Sequence, residues 1–150
     1  MRIKILPPIV MLIFGAFMYL LERFLPFGAF EFFGRAVLVY IVTGLGFIIM
    51  AIALIQFSKA KTTTNPIKLD KTTSLVTSGI YNFTRNPMYL TMLLLLIAWG
   101  LYLGNAFNSL IAAGFVYYMN HFQIKYEEIA LFNRFGKDYQ LYKRAVRRWF

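Results

Sequence analysis

The chain has 150 residues, of which 59% are hydrophobic and only 15% charged, and this places it outside the range of a water-soluble globular domain. Sixteen Lys and Arg against six Asp and Glu give a formal charge of +10, which on an apolar chain matches the cationic loops of a membrane protein and calls for no nucleic-acid partner. Cysteine is absent and histidine occurs once, which excludes disulfides, thiolate nucleophiles and cysteine-ligated clusters, and leaves no basis for a histidine-built metal site.

In chain order, the first apolar run covers about 5–21, after Arg2 and Lys4. A signal peptide is the competing reading. Pro7 and Pro8 stand early in the run, no small-residue cleavage pattern follows, and Glu22-Arg23-Phe24 closes it as a membrane boundary does, so it is expected to remain as a helix. The run 36–57 is free of charge and long enough to cross hydrocarbon.

From Ser58 to Pro87 the chain turns to Lys, Thr, Asn, Ser and Gly, with turn signals at Asn65-Pro66 and Ser78-Gly79. Apolar runs at 88–103 and 107–122 are then separated by Gly104-Asn105, which predicts a helical hairpin. The expectation is an all-α polytopic membrane protein forming one domain, with about four transmembrane helices. Cations at Lys59, Lys61, Lys68, Lys71, Arg85 and throughout the C-terminal region predict that these parts, and both termini, face the cytoplasm.

Residues 125–150 carry charges too regularly for another span. Ile129, Phe132, Phe135, Tyr139, Tyr142 and Val146 recur every three or four residues, which predicts an amphipathic cytoplasmic helix interrupted at Gly136 and lying at the lipid headgroups.

Chemistry concentrates at two places. At Arg85-Asn86-Pro87-Met88-Tyr89 the polar segment enters the hairpin. Asn86 is suited to cap that helix through its side-chain oxygen and Pro87 to open it, while the free N–H groups and Arg85 together suit a carboxylate. The second place is Glu127-Glu128, just past the hairpin, where adjacent acids below the hydrocarbon require solvent or cationic partners such as Lys125 and Arg134. Regular helical spacing aligns Glu128 with His121, and Glu127 with Gln123 and Asn120. Tyr81 and Tyr89 flank Arg85 and could turn ring faces toward a cation.

Leu75-Val76-Thr77-Ser78-Gly79-Ile80-Tyr81, then Arg85-Asn86-Pro87-Met88-Tyr89, an apolar hairpin, Glu127-Glu128, Phe135-Gly136, Tyr139, Tyr142 and Val146 form an ordered series. The series resembles the isoprenylcysteine carboxyl methyltransferase family, which is related to membrane phospholipid methyltransferases, over residues 62–148. The resemblance implies an S-adenosylmethionine pocket at the cytoplasmic membrane edge, built from segments 62–89 and 120–148. Carried over by position, Thr73, Ser74, Leu75, Val76, Tyr81, Asn86, Pro87, Met88, Tyr89 and Glu127 line the cofactor, and Arg85 and Glu128 border the reacting end. The chain departs from the family at Asn86, where histidine is common, at Thr91, where glycine is common, and at Gln123, where prenyl-protein enzymes have a substrate-contacting arginine.

Methyl transfer from a sulfonium requires positioning and exclusion of water, and no metal. The implied acceptor is lipophilic or lipidated, reached from the bilayer, and is a carboxylate such as that of an isoprenylcysteine-like compound. An amine or thiol acceptor would need deprotonation, with Glu128 or His121 as candidates. The competing functions are a nicotinamide-dependent reductase of the sterol-reductase type and a small membrane scaffold.

Overall fold

The computed structural model describes residues 5–25, 27–60 and 74–150, and they form helices joined by short connections. Thr73, the Asn65-Pro66 turn and the cations Arg2, Lys4, Lys61, Lys68 and Lys71 lie outside the described residues. Helix α1 covers Pro7–Phe24 and α2 covers Arg35–Lys59. Both are long and apolar enough to cross a membrane, and their large side chains, among them Phe17, Tyr40 and Phe47, lie mostly exposed. In water that surface would be an aggregation hazard; in lipid it is solvated.

Helix α3, Pro87–Leu103, opens with Pro87 at its first turn and closes on Gly104, whose φ of 74° only glycine adopts without cost. Helix α4, Asn108–Tyr118, follows directly. The expected hairpin therefore forms, and its turn is fixed further by Asn105, which donates to the Leu25 carbonyl and accepts from the Phe107 N–H. Gly28 and Ala106, with Phe30 and Gly104, exchange backbone hydrogen bonds beside it, tying the α1–α2 connection to the hairpin tip.

The core joins three helices. Val10 and Met18 of α1 meet Met92, Leu93 and Leu96 of α3 and Ala112 and Phe115 of α4. Helix α2 packs along α3, with Gly46 facing Thr91, Leu94 and Leu95. There the buried Thr91 hydroxyl lies 3.1 Å from the Gly46 carbonyl and 3.2 Å from the Pro87 carbonyl.

After Tyr118 the chain continues as a π-helical stretch, Met119–Ile124, then α5, Lys125–Phe135, and α6, Lys137–Ala145. Gly136 divides α5 from α6 with φ 52° and ψ −119°. The last residues continue past α6 as an extended strap, beginning at Val146.

Candidate active site

The site is built where the strap returns across the entrance to α3. A 3-10 turn at Gly79–Asn82 leads into Thr84, Arg85 and Asn86, and each of these bonds to the strap. The Arg85 N–H donates to the Arg147 carbonyl at 3.0 Å. The Thr84 hydroxyl and the Asn86 amide both donate to the Arg148 carbonyl, at 3.3 and 3.0 Å. Asn86 therefore does not cap α3 with its side chain, as the sequence led us to expect. Its amide is spent on a partner sixty-two positions away, which local spacing does not reveal.

Glu128 stands at the centre. Its side chain is 9% exposed and faces Arg85 at 2.9 Å, Lys143 at 3.3 Å and Arg148 at 2.9 Å. Arg148 approaches as a fork, with Nε on one carboxylate oxygen and Nη2 on the other, each at 2.9 Å. The sequence offered nearby Lys125 and Arg134 to this pair of acids; the ion pairs of Glu128 come from more distant cations, because the strap brings Arg148 in and α6 brings Lys143. Burial alone would raise the Glu128 carboxyl, but hydrogen bonds from Arg148 and the charges of Arg85, Arg148 and Lys143 outweigh it, and the group lies below the ordinary 4.5.

Arg85 shares its Nη1 with the hydroxyl of buried Tyr139 at 3.3 Å. Burial, then the nearby Glu128 charge, holds the Tyr139 phenol above its ordinary range. The Tyr142 hydroxyl closes the circuit by donating to the Tyr81 carbonyl at 2.7 Å. One donor in this cluster remains open: the Arg85 Nε is buried and has no hydrogen-bond partner.

Glu127 belongs to a second, adjoining group. Its carboxylate accepts from the Tyr89 hydroxyl at 2.5 Å and from the Gln123 amide. The α3 entrance and the start of α5 are thus drawn together through Tyr89, so that Arg85, Asn86, Pro87, Tyr89, Glu127 and Glu128 form one neighbourhood. Tyr81 lies buried against the Phe57 ring at the end of α2. Ser74 donates to the Ala60 carbonyl at 3.1 Å, and Leu75 and Val76 are half-buried beside it in sequence.

His121 is excluded from the cluster. It is exposed, with Nδ1 2.9 Å from the Tyr117 carbonyl and its ring against the Tyr117 ring. The alignment of His121 with Glu128 assumed an unbroken α-helix, and the π-helical stretch spends an additional residue and changes the phase of everything after it. The same stretch turns Asn120 inward, where its oxygen accepts from Trp149 Nε1 at 3.0 Å and Arg148 Nη1 at 3.3 Å. Arg148, Lys143 and Thr84 were not singled out for the site by sequence reasoning, and Asn120, aligned there with Glu127, bonds to the strap instead. The signal available was the isolated Arg147-Arg148-Trp149-Phe150 cluster, which reads equally as a headgroup anchor.

The donor set suits S-adenosylmethionine: the free Arg85 Nε–H matches a carboxylate, and Glu127 matches an ammonium or ribose hydroxyls. No group of acids and histidines able to hold a metal occurs among the described residues.

Comparison with known proteins agrees in kind with the sequence resemblance. An uncharacterized protein of Haemophilus influenzae is 48% identical over 62 residues, covering 41% of this chain and 98% of that protein. No solved structure matches. The family model for phospholipid methyltransferases matches residues 34–138, which takes in α2, the hairpin, Arg85, Glu127 and Glu128. With apolar helices suited to a bilayer and that match over most of its length, the chain is a membrane protein and belongs to the phospholipid methyltransferase family, which includes the isoprenylcysteine carboxyl methyltransferases.

Proposed function

We propose that this protein transfers the methyl group of S-adenosylmethionine to a lipophilic or amphipathic acceptor, at the membrane edge where the α3 entrance, α5 and the strap meet. The reading is supported by the unpartnered buried Arg85 Nε, set beside two acids in different environments, in a chain of a membrane methyltransferase family. Helices α3 and α4 with the π-helical stretch would complete a four-span bundle with both termini in the cytoplasm.

When bound, the cofactor supplies a methyl group already activated on a sulfonium, so the chain's own contribution is positioning and dryness. Glu127, oriented by Tyr89 and Gln123, holds the amino or hydroxyl groups. Arg85 holds a carboxylate through Nε while its other end is fixed by Glu128 and Tyr139. Tyr81 and Tyr89 bound the cationic centre, with Ser74, Leu75, Val76, Asn86, Pro87 and Met88 contributing the remaining wall. Glu128 serves as a positioning residue: a carboxylate surrounded by three cations is a weak base. This arrangement favours an acceptor that arrives ionised, such as a carboxylate, over one that must lose a proton in the site.

Purified protein incubated with methyl-labelled S-adenosylmethionine and a membrane extract should label a lipid-phase product. Arg85→Ala and Glu127→Ala should each abolish cofactor affinity in detergent. Unchanged affinity in both variants would remove the assignment, and binding of NADPH without S-adenosylmethionine would replace it with the reductase reading.

A further inference from the structure

The break at Gly136 sets α6 against α5 and leaves a cleft of about 760 Å³ between them. Four cations line it, Lys125, Lys143, Arg144 and Arg148, against the single acid Glu128. Glu128 is already committed to Arg85, Arg148 and Lys143. Among the described residues, Lys125 and Arg144 have neither an ion pair nor a hydrogen-bonded side-chain partner, so the cleft carries positive charge that no described residue answers.

The same cleft is greasy on one wall. Ile129 and Phe132 are each 49% exposed there, one turn and two turns along α5 from Lys125. An inorganic anion would answer the cations and leave these side chains wet. Hydrocarbon attached to the anion would cover them, at about 25 cal/mol for each Å² removed from water.

We propose that the α5–α6 cleft binds the anionic headgroup of a lipid, with the charge on Lys125 and Arg144 and the first part of the acyl chain on Ile129 and Phe132. The match is one of charge and polarity together: an uncompensated cationic rim beside an apolar wall, in a chain held to a bilayer by its apolar helices. The cleft shares Glu128, Tyr139 and Arg148 with the candidate active site, but the two cations assigned to the headgroup, Lys125 and Arg144, take no part in the cofactor neighbourhood, and occupancy needs no methyl transfer.

The test uses the full chain in neutral maltoside micelles, with no cofactor present. Native mass spectrometry would follow titration with short-chain phosphatidylglycerol, phosphatidylcholine of equal chain length, and inorganic phosphate. Phosphatidylglycerol should bind most tightly, and K125Q/R144Q should weaken it by at least about tenfold without lowering the melting temperature. The control R23Q/K59Q, which removes as much charge elsewhere, should leave binding unchanged. Equal weakening by the control would reduce the effect to net charge and overturn the proposal, as would phosphate binding as tightly as the lipid. Failure here leaves the methyltransferase reading intact, because that reading is tested by cofactor affinity and label transfer.

Discussion

Removing Arg148 should loosen the site while leaving the bundle folded. In the native protein its guanidinium makes two bonds of 2.9 Å to Glu128 and one of 3.3 Å to Asn120. A hydrogen bond to a charged group contributes about 1.5–3 kcal/mol, and stripping a buried ion of its partner costs about 3–5 kcal/mol. Two observations move the expectation to the lower range: the Arg148 side chain is 32% exposed, and Arg85 and Lys143 remain beside Glu128. A double-mutant cycle of Arg148→Ala with Glu128→Gln, read by reversible unfolding in mixed micelles, should therefore give a coupling of about 1.5–2.5 kcal/mol. Acid should erase it. The folded carboxyl lies below its ordinary 4.5, so its contribution is complete above that pH and is lost as pH falls through the folded value. A coupling under about 0.5 kcal/mol near neutral pH, the level of an exposed pair, would refute the argument that the strap closes the site through this contact.

Other substitutions probe separate parts of the same construction. Tyr89→Phe removes the hydroxyl that orients Glu127 and should weaken S-adenosylmethionine binding about tenfold, measured by calorimetry, because a lost charge-assisted bond amounts to about 1.5 kcal/mol. Thr91→Val keeps the shape but removes a hydroxyl near two carbonyls, and should lower stability by about 0.5–1.5 kcal/mol in the same unfolding assay. Gly136→Ala meets no atom within 4 Å, so any cost is conformational. At φ 52° and ψ −119° it should amount to about 1–3 kcal/mol, visible as a lower melting temperature.

Composition and run length were enough to predict helices, a lipid-compatible surface and the turn at Gly104, because each depends on local chain chemistry or on total hydrophobicity. The division at Gly136 was legible as a glycine interrupting the amphipathic stripe, and there the backbone takes a φ of 52°. The neighbourhood of Arg85 with Glu127 and Glu128 came from the ordered resemblance, since no spacing along one helix joins residues forty positions apart.

The identity of the partners was a different matter. Asn86 looked like a cap because its neighbours form a helix start, yet a strap carbonyl took its amide; no spacing tied Glu128 to Arg85, Lys143 and Arg148, which enclose it. His121 lost its alignment to one π-helical stretch. Hydrophobic pattern specifies which surfaces must be covered and is indifferent to which polar group fills a given hydrogen bond. That choice is made by distances between chain segments far apart in sequence, and these exist only once α3, α5, α6 and the strap have packed.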